Sequence, residues 1–256
     1  MTGIKRKLQE NVKQIQDRIA DACARSRRNP SSVKLIAVTK AASVEIIRTL
    51  VDLGVQDLGE NKVQELCKRA AMVRESRMRR TKGDDANDSP RWHMIGHLQR
   101  NKVKHVLPWA SLIHSVDSLR LAEDIDEAAA KLESRVPILL EVNAADDPNK
   151  HGVSVAASMH LAEQLVGLKH VEVRGLMAMA PLTTDDRQIR VTFERMKELF
   201  DEIVTERTMG PAFSELSLGM SGDFETAIEF GSTMVRIGTA LFDGIELPPV
   251  VSAEAD

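Results

Sequence analysis

Short apolar runs alternate with amphipathic helical segments along the whole chain, and few folds accommodate such a pattern. The runs are 33–38 (VKLIAV), 55–58, 92–96, 112–116, 137–142 (PILLEV), 171–179, 216–218 and 234–237. Several are apolar without a break, as in strands covered on both faces, while the segments between them carry apolar residues at helical spacing. Leu8, Val12, Ile15, Ile19 and Ala22 mark a helix before the first strand. Val44, Ile47, Leu50 and Val51 mark one after it, capped by Ser43. Leu119, Ala122, Ile125 and Ala129 define another, capped by Asp117 or Ser118, and Ile189, Phe193, Met196, Leu199, Phe200 and Ile203 define the longest. Strand–helix repetition predicts a parallel sheet with a helical cover, and no GxGxxG follows the first strand to indicate a dinucleotide-binding sheet. The expected fold is α/β: a single (β/α)8 TIM-type barrel over residues 1–247 with an extra N-terminal helix, followed by a short tail, 248–256.

Composition narrows the function classes. A chain of 256 residues can build one large core, and a net charge of -3 gives no electrostatic reason to expect nucleic acid or an anionic membrane as partner. The basic stretch 74–82 runs into the acidic, turn-rich 83–90 and has no aromatic residue for base stacking, so it reads as a solvated helix end. The opening MTGIKRKLQENVKQIQ has no continuous apolar segment and no window reaches membrane-span length. Cys23 and Cys67 belong to no CxxC or metal-spaced cluster, which fits a reducing compartment. A soluble, cytoplasmic monomer is expected.

In such a barrel all strand ends meet on one face, so Lys40, Asn61, the Gly96–His97 corner, Asn143, Met179, Ser217 and the 236–239 corner share a rim. Lys40 follows LIAVT directly; partial desolvation there would help its amine lose a proton and attack an aldehyde, although a lysine that merely snorkels from a strand end reads the same way. Arg236-Ile237-Gly238-Thr239 and Ser217-Leu218-Gly219-Met220-Ser221-Gly222 close the last two strands. Their glycines, hydroxyls and backbone N–H groups suit a phosphate, though they also suit plain turns. An amine beside a phosphate cup calls for a phosphorylated aldehyde, of which pyridoxal phosphate is the commonest cofactor. His93 and His97 are four apart, but Gly96 intervenes and the segment reads as strand then turn, so no metal site is expected. Asp223 in GMSGD stands where a nucleophile elbow needs glycine. Met177, Met179 and Met220 read as barrel filling, and Lys150 as a solvated loop lysine.

LIAVTK (35–40), LGENKVQE (58–65), WHMIGHLQRNK (92–102), IHSVDS (113–118), LLEVN (139–143), RGLMAM (174–179), SLGMSGD (217–223) and STMVRIGTALF (232–242) together resemble the pyridoxal phosphate homeostasis proteins (the YggS/PROSC family), whose fold is that of the alanine racemase barrel domain standing alone. The resemblance implies that Lys40 forms a Schiff base with the cofactor. It implies further that Gly238, Thr239 and Ser217 hold the phosphate, that Arg236 or Ser221 faces the pyridine nitrogen, and that Asn61 lines the ring. It also implies a cofactor carrier that takes part in pyridoxal phosphate homeostasis without robust turnover, with apoenzymes that need the cofactor as recipients. Two other readings stay open: a pyridoxal phosphate enzyme such as an amino-acid racemase, and a Schiff-base aldolase that uses Lys40 directly. Against racemisation stands the absence of any tyrosine, since in the racemases that this barrel resembles a tyrosine serves the second face of the substrate.

Overall fold

The computed structural model describes residues 2–80, 89–207 and 209–247. The acidic part of the 79–90 loop and the 248–256 tail lie outside them.

The chain opens with helix α1 (Thr2–Arg25) and then alternates: β1 (Lys34–Val38), α2 (Val44–Asp52), β2 (Asp57–Glu60), α3 (Val63–Arg80), β3 (Arg91–Met94), α4 (Val103–Val106), β4 (Ala110–Val116), α5 (Leu119–Lys131) and β5 (Val136–Asn143). It continues with β6 (Val153–Ser154), α6 (Val155–Leu165), β7 (Val171–Met177), α7 (Asp186–Glu206), β8 (Glu215–Ser217), α8 (Phe224–Glu229) and β9 (Met234–Ile237), and a 3-10 turn at Thr239–Phe242. All strand pairings are parallel in the order β4-β3-β2-β1-β9-β8-β7-β5, and β4 pairs with β5 to close the ring. The result is a closed barrel of eight parallel strands with helices outside, as the alternation predicts. The ninth strand, β6, was not expected; it is two residues that extend the rim end of β5 through Val142 and Asn143.

Local chemistry sets the helix starts. Ser43 Oγ accepts from the Ile46 N–H at 3.3 Å, Ser118 Oγ from Leu121 at 3.4 Å, and Asp185 Oδ1 from Arg187 at 3.0 Å, each satisfying an orphan donor of a first turn. Leu8, Val12, Ile15 and Ile19 of α1 are buried, and Asn11 Nδ2 donates to Leu241 O at 3.0 Å and Asp243 O at 2.9 Å. The extra helix therefore pins the 3-10 turn that follows the last strand. Inside the ring a separate apolar cluster of Ile36, Leu112, Leu139, Met177 and Met234, with Met179 against it, packs part of the interior, and buried polar side chains take the rest. Met220 does not take part as expected: it sits 37% exposed on the rim, because Gly219 turns the chain outward with φ at +88°.

Candidate functional site

The first wall of the site is built by β1, β2 and α3. Lys40 lies two residues past the end of β1 and is exposed, so the chain's own burial does not provide the desolvation expected of it. What the structure supplies is a fixed backbone. Arg69 of α3 donates to Thr39 O and, at 3.2 Å, to Lys40 O, and its Nη1 also reaches Glu60 Oε1 at 2.6 Å. Glu60, the last residue of β2, is fully buried and accepts from Thr39 Oγ1 at 2.5 Å. Burial raises its carboxyl above the usual range, and the Thr39 hydroxyl and the Arg69 guanidinium work against that rise. The next residue, Asn61, is exposed at the rim beside the Gly96 corner, where a Cβ on Gly96 would stand 2.2 Å from Asn61 O. Only glycine admits this contact, and it holds the Asn61 backbone against β3.

The second wall is the paired corner after β8 and β9. Ser221 Oγ accepts from the Gly238 N–H at 3.2 Å and the Ala240 N–H at 3.3 Å, so two backbone donors converge on one oxygen. A Cβ on Gly238 would meet Val38 only at an ordinary 3.5 Å, and its φ of -117° is open to any residue. The chain itself does not demand glycine there. Thr239 is exposed beside it. Because β1 lies between β2 and β9, with Ala37 opposite Ile237, both walls face each other across the end of β1.

Below the corner the barrel interior is polar. Arg236, 4% exposed, donates from Nη1 to Ser217 O at 2.8 Å and Ser217 Oγ at 2.6 Å, and from Nη2 to Ala178 O at 2.9 Å. Burial lowers its pKa to about 10, opposed by Asp223 and Glu141, so it stays charged at neutral pH. From Ser217 a chain of contacts runs down the barrel: Ser217 Oγ to His114 Nδ1 at 3.0 Å, His114 Nε2 to His93 Nδ1 at 2.9 Å, and His93 Nε2 to Asp57 Oδ1 at 3.0 Å. Asp57 is also held by Arg91 through two contacts of 2.7 Å. Burial pushes its carboxyl up, but the hydrogen bonds and charges of Arg91 and His93 outweigh this and hold it well below the usual range. Burial, then the neighbouring His93, Arg236 and Lys34, push His114 far toward the neutral form. Arg236 donates into one end of this chain and the Asp57 carboxylate accepts at the other, so Ser217 meets the rim through Arg236.

The sequence-expected residues thus gather into one rim: Lys40 and Asn61 on one side, Ser221, Gly238 and Thr239 on the other, Arg236 and Ser217 beneath. His93 points inward and His97 sits on the rim, so the two do not form a pair. Lys150 is not a free loop lysine: its Nζ donates to Ala180 O at 2.8 Å, and its side chain is mostly buried. Asp57, Glu60, Arg69, His114 and Glu141 were not singled out from the sequence. For four of them the available signal was a titratable residue inside an apolar run, as in VQDLGE, LIHSV and LLEV. Arg69 had no signal, since it looks like any helix arginine.

The closed ring of eight parallel strands with helices outside is a barrel of the alanine racemase type. The family model for the alanine racemase N-terminal domain matches residues 6–245. A pyridoxal phosphate homeostasis protein of Aquifex aeolicus is 36% identical over 233 residues, 91% of this chain and 96% of that one. A crystal structure of an unknown protein from Bifidobacterium adolescentis is 36% identical with a TM-score of 0.88, covering 94% of this chain and 97% of that chain. PipY of Synechococcus elongatus PCC7942, solved with PLP bound, is 32% identical with a TM-score of 0.72, covering 88% and 99%. This chain belongs to the family of pyridoxal phosphate homeostasis proteins within the alanine racemase N-terminal domain fold. Among the described residues no helix is long and apolar enough to cross a membrane.

Proposed function

We propose that this chain is a pyridoxal phosphate carrier that takes up the cofactor through Lys40 and releases it to apoenzymes that need it, with residues 1–247 as the whole binding unit. The observation that carries the reading is the convergence of the Gly238 and Ala240 N–H groups on Ser221 Oγ, beside the end of the strand that leads to Lys40. The corner suits a phosphate, which would take the Gly238 and Ala240 N–H groups from Ser221 Oγ and meet the Ser221 and Thr239 hydroxyls beside a glycine whose missing Cβ leaves room that the chain does not use. When bound, the cofactor supplies an aldehyde and an electron-accepting ring. The chain's own part is to present the Lys40 amine from a backbone fixed by Arg69 and to line the ring with Asn61. Arg236, steadied by Ser217, is the donor beneath; a permanently charged guanidinium facing the ring nitrogen disfavours its protonation and so weakens the ring as an electron sink. That supports storage over turnover. One chain carries every named residue, so a monomer suffices. Its free Cys23 and Cys67 accord with a reducing cytoplasm.

The corner is tested by comparing two ligands. Thr239→Val and Ser221→Ala should each weaken retention of pyridoxal phosphate about tenfold or more, the loss of a charge-assisted hydrogen bond costing roughly 1.5–3 kcal/mol, and should leave retention of pyridoxal nearly unchanged. Equilibrium dialysis with both ligands reads the difference. Equal losses would place the phosphate elsewhere.

A further inference from the structure

A second cluster on the same rim has chemistry that cofactor binding does not use. His97 comes from the turn after β3, Asp117 from the end of β4 and His151 from the loop after β5. Each offers one donor atom, and the three atoms lie within 4.8 Å of one another. His97 Nδ1 is 3.6 Å and His151 Nδ1 4.0 Å from Asp117 Oδ2. The two imidazoles stack face to face, with centroids 4.0 Å apart and planes 13° from parallel. Both nitrogen–oxygen separations exceed a hydrogen-bond length, so the contacts do not satisfy one another. A metal bonds along the in-plane lone pair of each imidazole, so the two stacked and largely exposed rings must turn about their side-chain torsions to bring both nitrogens and Asp117 Oδ2 onto one ion at the ~2.0–2.2 Å of a transition metal.

We propose that His97, Asp117 and His151 form a binding site for a late first-row divalent metal ion of the zinc, cobalt or nickel class. Two imidazole nitrogens and one carboxylate oxygen select against magnesium and calcium, which take all-oxygen shells. With the histidine side chains 41% and 58% exposed, the remaining coordination positions open to the solvent at the barrel mouth. His93 and His97, four apart in the sequence, do not face one another. The structure sends His93 inward and brings His97 two partners from later loops, which no local spacing displays.

The test titrates the untagged full-length chain, cleared of metal by a chelator and then dialysed, with cobalt(II) chloride, followed by zinc chloride as competitor. One cobalt per chain at a Kd of about 10 µM or tighter, with a visible d–d absorption that zinc abolishes, is the expected result. His97→Ala, Asp117→Asn and His151→Ala should each weaken binding at least tenfold, while His160→Ala, an exposed helix histidine, should leave it unchanged. Circular dichroism melts identify any variant that fails to fold, and Asp117→Asn retains the shape of the native side chain. No one-to-one binding in this range, or binding unmoved by all three substitutions, would overturn the site. The titration uses no pyridoxal phosphate, so its outcome is independent of the carrier reading.

Discussion

Glu141 carries its charge at a disadvantage, and the disadvantage can be measured. Burial is the main cause and the Asp117 carboxylate adds to it, with Arg236 in opposition; the carboxyl moves from 4.5 to about 7. A carboxyl whose folded pKa exceeds its unfolded one binds more protons in the folded state, so stability is full below about pH 4.5, falls as pH rises to about 7, and is then flat. The shift corresponds to about 3 kcal/mol. Glu141→Gln should remove this slope: the variant and the parent chain should match in urea unfolding at pH 4.5, and the variant should be more stable by up to about 3 kcal/mol at pH 8. A difference that does not change with pH would mean that Glu141 is solvated. The same residue shows what was hard to read from sequence. LLEV was legible as a strand, but whether its one acid faces water or the barrel interior depends on closure of the ring, which no stretch of eight residues reveals. Asp57 and His114 were overlooked for the same reason, whereas the hydroxyls and glycines of the last two corners were legible because they need no partner from elsewhere in the chain.

At the scale of elements, the end of β1 is positioned by a helix outside the barrel. Arg69 bridges Thr39 O, Lys40 O and the buried Glu60, so α3 fixes the backbone from which Lys40 projects. Arg69→Met should cost about 3–5 kcal/mol, because it leaves a buried carboxylate without its ion partner, and should also slow cofactor capture. Adding Glu60→Gln should recover much of the stability without restoring capture, since the tie to the Lys40 carbonyl stays lost. Urea unfolding and the rate of rise of the visible absorption after pyridoxal phosphate is added separate the two effects. Recovery of both would reduce Arg69 to a structural role. The elements themselves were largely legible: all eight barrel strands overlap the apolar runs, and Ser43 caps its helix as expected. Their edges were less so. β3 begins at Arg91 and ends at Met94, because the Ile95–Gly96 corner leaves the ladder to close on Asn61. The two-residue β6 has too little pattern to be seen.

Across the chain as a whole, turnover is limited by which acids and bases can reach a bound amino acid. Racemisation requires one group to remove a proton on one face of the bound amino acid and another to return it on the opposite face. Lys40 can serve one face. The chain contains no tyrosine for the other, and the imidazoles of His97 and His151 are stacked on each other beside Asp117. Incubation of the loaded protein with L-alanine in deuterated water should therefore give enantiomer far below the ~1–1,000 per second of ordinary enzymes, while an apoenzyme added to the same protein should gain activity. Turnover in that range would favour the enzyme reading over the carrier.

One lysine, Lys40, is expected to hold the cofactor. Borohydride reduction of the loaded protein followed by peptide mapping tests it most directly. The predicted result is a single reduced pyridoxyl label on Lys40, with no visible absorption band in Lys40→Ala and an unfolding free energy within about 0.5 kcal/mol of the parent chain, because the side chain is exposed at the rim and packs against no layer of the barrel. A label on Lys150 or any other lysine, or a visible band that survives Lys40→Ala, would contradict it.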